Sequence, residues 1–291
     1  MDAVRWQPAR VAPHDVPRLR RLRPLLIALA IVAMLVAGFA VALWAAGPRP
    51  TATQIVVPAK TPFTKGRYFA FAQPWGSETM RWTRWWAPHA DALAINLGRF
   101  PADTAMSWRW PPFVPTNGPG VWAYNQVSYG NYDGGAPEVS VAARRVRDIR
   151  ELRQAYAWRI DNALGDGNVL TEFYLRSSPT DVNAKTLEIG FFLHAPDSTK
   201  RFFGNSKQIG VFTDTGGRRW RVALADKFCM FLPEQDAALT RGTLDMLPAL
   251  AWLRSKRLVT GDEWFWGLAI GVEPVRGVGR YYLDRWSVAL R

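Results

Sequence analysis

Cysteine is almost missing from this 291-residue chain, and the one present, Cys229, excludes an intramolecular disulfide framework. It sits in the apolar string DKFCMFL and reads as a filler residue of a core. Histidine is nearly as scarce: His14, His89 and His194 lie too far apart to resemble a ligand set, so no metal and no cofactor is expected. There is no internal repeat, no zinc spacing, no helix-turn-helix pattern and no run of Lys or Arg interleaved with aromatics. The net charge of +13 therefore does not indicate a nucleic-acid partner. Six Arg against two Asp precede residue 25, so +4 belongs to that short tail and +9 to the remainder. Such a surplus attracts acidic glycans or lipid headgroups equally well.

What is present is apolar and aromatic. Hydrophobic residues make up 48% of the chain, and its fifteen Trp can fill a core or offer flat surfaces to sugar rings. From Leu25 to Ala46 the sequence runs 22 residues without a charge, which at about 1.5 Å per residue spans a hydrocarbon layer about 30 Å thick. Arg18, Arg20, Arg21 and Arg23 precede this run, while only Arg49 and Lys60 follow it closely. The positive-inside rule then places residues 1–24 in the cytoplasm as a basic tail, with 25–46 as an uncleaved signal anchor. Residues 47–65, rich in Pro and Thr, read as a tether, and 66–291 as a domain outside the membrane, on the periplasmic face of a bacterial inner membrane.

Beyond the tether the pattern is one of strands, short runs rich in β-branched and aromatic residues separated by turn residues, such as NVLTEFYLRSS, TLEIGFFLHAP, KQIGVFTD, KFCMFLP and RYYLDRWSVALR. One helix is expected over Gly242–Val259, where Leu244, Leu247, Leu250 and Ala251 recur at helical spacing. Many strands and one helix indicate an all-β sandwich of the concanavalin-like jelly-roll type.

Three of these strands carry a carboxylate where alternation puts it on the face opposite the core. In TLEIGFFLHAP, Leu187, Ile189, Phe191 and Leu193 share one face; Glu188, Gly190, Phe192 and His194 share the other. In FWGLAIGVEPV, Glu273 shares a face with Ala269 and Gly271; in NVLTEFYLRSS, Glu172 shares one with Tyr174. A single Glu on a sheet face is ordinarily solvated. Three in apolar strands, two of them beside Gly or Ala, provide the carboxyl pair that glycoside hydrolysis uses and a third group to shift the proton balance.

The strings EIGFFL (Glu188–Leu193), GVEP (Gly271–Pro274) and NVLTEFYL (Asn168–Leu175) resemble glycoside hydrolase family 12, the retaining endo-β-1,4-glucanases and xyloglucanases. The resemblance covers about Val121 to Arg291, with QPWG (Gln73–Gly76) as a fainter match upstream. It implies a polysaccharide substrate, Glu188 as nucleophile and Glu273 as acid/base about 5–5.5 Å apart, and Glu172 in place of an Asp that hydrogen-bonds the nucleophile. Trp75, through the QPWG match, and Trp110, Trp122, Gly190, Phe192 and Tyr174 are the candidate substrate-binding residues, a core or rim place remaining the alternative for each Trp. Trp108 is a further candidate, and Trp82, Trp85 and Trp86 are expected to form a local cluster or face the membrane. Gly190 and Phe192 stand where that family has Met and Trp, and the glycine is expected to open space beside the nucleophile for a decorated glycan. The basic charge makes an acidic polysaccharide one candidate. The alternative reading is a jelly roll that binds glycan without cutting it.

Overall fold

Helix α1 covers Pro17–Ala46, and its segment Arg23–Val41 has a mean hydropathy of 2.7. No part of that segment is buried, and it has no polar stripe to face water, so by length and composition it is able to cross a bilayer. The computed structural model describes residues 17–76, 91–116, 118–135, 139, 141–161 and 164–291, and it divides into α1 and a second unit from Ala46 onward. The expected cluster of Trp82, Trp85 and Trp86 lies outside the described residues.

The second unit is two stacked sheets. The smaller has the order β1 (Gln54–Pro58), β4 (Asp91–Asn96), β5 (Thr104–Arg109), β17 (Val278–Leu290), β8 (Leu152–Asp161), β14 (Arg241–Asp245). The larger runs β11 (Lys207–Thr213), β12 (Arg219–Ala225), β13 (Phe228–Pro233), β10 (Lys185–His194), β9 (Asp166–Arg176), β16 (Gly267–Arg276), β6 (Tyr124–Gly130), β3 (Tyr68–Gln73), β2 (Phe63–Lys65). The short strands β7 (Arg144–Arg145) and β15 (Trp264–Phe265) pair beside β9. Neighbouring strands are antiparallel except β10 and β13, which run parallel. Alternation puts Phe173, Leu187, Ile189, Phe191, Leu268 and Ile270 of the larger sheet against Tyr156, Tyr281, Leu283 and Trp286 of the smaller, forming one continuous core. Buried polar groups inside it are tied across the layers: Gln154 Oε1 accepts from Trp286 Nε1 at 2.8 Å and from Thr171 Oγ1 at 3.2 Å.

Three features differ from expectation. Within the expected tether, Gln54–Pro58 is β1, paired over five residues with β4, and Phe63–Lys65 is β2, paired with β3. Val57 reaches the core from there. The helix expected from Gly242 is half strand: Arg241–Asp245 pairs with β8, and helix α3 covers only Leu247–Ser255. Pro248 sits in its first turn, where a missing N–H costs nothing, and bars propagation toward Gly242. Helix α2 (Asp197–Asn205) was not anticipated, because its nine residues, DSTKRFFGN, are short and mostly polar, with only Phe202 and Phe203 as large apolar side chains. It lies on the face of the larger sheet turned away from the smaller one. There Phe203 packs into a second cluster with Leu170, Phe192, Met230 and Leu232.

Candidate active site

Strand register brings the three glutamates to that same outward face. Between β9 and β10, Glu188 pairs with Tyr174 and Gly190 with Glu172, so Glu188 and Glu172 are diagonal neighbours. Between β9 and β16, Ala269 pairs with Glu172 and Glu273 with Asn168. All three carboxyls line one cleft of about 610 Å³. Trp75 and Gln73 lie on its wall, as do Tyr132 and Asp133 from the segment after β6, Phe202 from α2, and Phe228 from β13.

The site holds three buried carboxyls in one low-dielectric space, and they cannot all ionise. Glu172 is 3% exposed. Burial first, then Glu188 and Glu273, hold its carboxyl well above the usual range, while Tyr132 Oη donates to its Oε1. Glu188 is also raised by burial, but three neighbours oppose the shift: the carboxyl of Glu172, the cation of Lys185 and the hydroxyl of Tyr174. A proton held on Glu172 therefore stabilises the carboxylate of Glu188 beside it. Lys185 is itself fixed, with Nζ 2.5 Å from Asp133 Oδ1 and 3.7 Å above the Tyr174 ring. Burial pushes Glu273 up to about 8, opposed by the hydrogen bond from Asn168 Nδ2 at 2.9 Å and reinforced by the charge of Glu188. The cleft thus sets one carboxyl whose neighbours favour ionisation, Glu188, beside two whose burial favours the protonated acid, Glu172 and Glu273.

The other expected binding residues separate into two groups. Tyr174 and Trp75 line the cleft. Trp110 and Trp122 do not: they are at most 1% exposed and stack on each other with centroids 5.1 Å apart and planes 3° from parallel. Trp108 is likewise fully buried. Alternation cannot distinguish a platform from a core ring, and here the interior took all three. Phe192 is 2% exposed and packs in the cluster under α2. Gly190 does not open space beside Glu188, because a Cβ built on it would meet Phe228 Cε2 at 2.8 Å. The ring of Phe228 occupies the volume that a larger side chain at 190 would take.

Sequence reasoning missed Tyr132, Lys185, Tyr124, Phe228 and Asn168. Asn168 and Tyr124 were legible in principle: Asn168 shares the even-numbered face of β9 with Glu172, and Tyr124 opens the next strand but one across the sheet. Tyr132 and Phe228 reach the cleft through a loop and a parallel pairing that no local pattern announces. The hydroxyl of Tyr124 is buried at the cleft wall and makes no hydrogen bond among the described residues. No group of three or more His, Cys, Asp or Glu among the described residues is arranged to hold a metal ion.

No family model matches the chain, and no curated protein matches it at the sequence level. Solved structures do. Endoglucanase 3 of Trichoderma harzianum, from glycoside hydrolase family 12, superposes with a TM-score of 0.63 at 15% identity, over 84% of this chain and 100% of its own. A family 12 xyloglucanase from Bacillus licheniformis, in complex with ligand, gives 0.62 at 17% identity over 82% and 100%. An endoglucanase from Rhodothermus marinus gives 0.60 at 14% over 81% and 99%. At these identities the likeness establishes a common fold.

Proposed function

We propose that this chain is a retaining glycosidase that cleaves β-1,4-glucan linkages and is held at a membrane by α1. The observation that carries the reading is the convergence of Glu188, Glu172 and Glu273 on one cleft, with burial raising one acid to about 8 while its neighbours favour ionisation of another. The fold shared with family 12 endoglucanases and a xyloglucanase supports it.

In this reading Glu188 attacks the anomeric carbon while Glu273 passes its proton to the departing glycosidic oxygen, so the C1–O bond breaks as a C1–carboxylate ester bond forms. The ester consumes the charge on Glu188. That removes a repulsion which had raised Glu273, so Glu273 holds its proton less tightly and stays ionised after protonating the leaving group, the form in which it takes a proton from the attacking water. Water then releases the sugar with retained configuration and restores both groups. Trp75 offers an aromatic face to a sugar ring, and the free hydroxyl of Tyr124 a partner for a sugar oxygen. The lining carries Asp133 and Asp226 besides the three glutamates and no Lys or Arg among the described residues, which favours a neutral glucan over an acidic one. The arginines ahead of the apolar run, Arg18, Arg20, Arg21 and Arg23, support an orientation with residues 1–24 in the cytoplasm and the catalytic domain on the periplasmic side of a bacterial inner membrane.

The test uses full-length protein in detergent, wild type beside Glu188→Gln and Glu273→Gln, assayed for reducing ends from mixed-linkage β-glucan, xyloglucan and a carboxymethylated cellulose. Release by wild type should fall by at least about 10²-fold in each variant. Absence of release from every glycan, with binding that survives both substitutions, would leave a glycan-binding jelly roll.

A further inference from the structure

Helix α2 connects to the catalytic chemistry through one side chain. Thr199, in its first turn, is 3% exposed, and its Oγ1 donates to Asn168 Oδ1 at 2.7 Å. The other end of the same amide, Nδ2, donates to Glu273 Oε2 at 2.9 Å. An amide can present either its oxygen or its nitrogen to a neighbour, and the two choices act oppositely on a carboxyl. Nitrogen toward Glu273 favours the carboxylate; oxygen toward Glu273 favours the acid. A hydroxyl donor on the far side holds the oxygen away.

We propose that Thr199 is a positioning residue for the acid/base, holding the Asn168 amide so that its N–H faces Glu273 and eases release of the proton. The role of that proton rests on the glycosidase reading above; the orientation of the amide does not. The titratable and polar groups facing Glu273 are Asn168 and Glu172 on β9, Glu188 on β10 and Tyr124 on β6, with Thr199 reaching it only through Asn168. Among them Asn168 is the one that lowers the Glu273 pKa, so loosening it moves Glu273 further up.

The experiment compares full-length wild type with Thr199→Val, Thr199→Ala and Thr199→Ser. One readout is the pH profile of kcat/KM. The other, independent of turnover, is the pH dependence of Glu273 modification by a water-soluble carbodiimide, followed by mass spectrometry of the peptide. Valine and alanine should both move the Glu273 midpoint upward by about one pH unit, the effect of one hydrogen bond, and serine should return it to the wild-type position. A lowered rate or stability with an unmoved midpoint in both Val and Ala variants would overturn the proposal and leave Thr199 a packing residue. If wild type cleaves no glycan, the labelling midpoints still decide the point, and the failure then belongs to the glycosidase reading alone.

Discussion

Glu273 sets the pH behaviour on both sides of function and stability. In the proposed mechanism it begins protonated to act as the acid, and burial pushes its carboxyl up to about 8. Activity should therefore be lost as pH rises through about 8, seen as the alkaline limb of the kcat/KM profile. The same shift acts on folding with a definite sign. A carboxyl raised from 4.5 to about 8 carries no folding penalty while both states are protonated. Above the unfolded value the unfolded chain ionises and the folded one resists, so stability falls as pH climbs from about 4.5 toward about 8, by up to ~1.4 kcal/mol per pH unit. Glu273→Gln removes that term. The melting temperature of the variant relative to wild type should thus rise between pH 5 and pH 8, and a constant difference would show that the carboxyl is not buried as described. Tyr124→Phe should raise KM several-fold with little change in the melting temperature, since its hydroxyl has no partner to lose.

At the scale of elements, two segments have effects that the linear chain conceals. β1 lies ahead of the domain start expected at residue 66, yet it completes the edge of the smaller sheet and contributes Val57 to the core. Truncation at Gly66 should cost at least the ~1.5–3 kcal/mol of burying that valine, whereas truncation at Gly47 should not. Denaturant titration of the two fragments distinguishes these outcomes. The parallel pairing of β10 with β13 places Phe228 opposite Glu188 and its ring over Gly190. Gly190→Ala forces that ring to move and should cost about 1–3 kcal/mol. Combined with Phe228→Ala, the cost should shrink, because the clash and its cause are removed together. The alternation within β9, β10 and β16 was legible because each strand buries one face completely, and a one-residue slip would send Leu187, Ile189 and Phe191 into the cleft. Helix α2 was not legible, since what makes it helical is the sheet face it covers.

For the whole molecule, the apolar helix and the sheet domain make separable contributions. Deleting residues 1–46 should move the protein from the membrane to the soluble fraction after cell breakage while leaving the reducing-end assay intact. Persistent membrane association of the deleted form would mean that the domain itself binds the bilayer.

The sequence by itself determined the apolar segment, the all-β class, the strand faces and the three glutamates on the non-core side, because these depend on periods of a few residues and on hydrophobic burial along a single strand. Tertiary structure alone decided which strands are neighbours, and with that everything quantitative about the site. It set Glu172 diagonal to Glu188, put Asn168 against Glu273, and closed the space beside Gly190 with Phe228. It also withdrew Trp110 and Trp122 from the surface into a stacked pair. These outcomes depend on register and on which side chain reaches a given volume first, and that competition is settled between residues far apart in the chain.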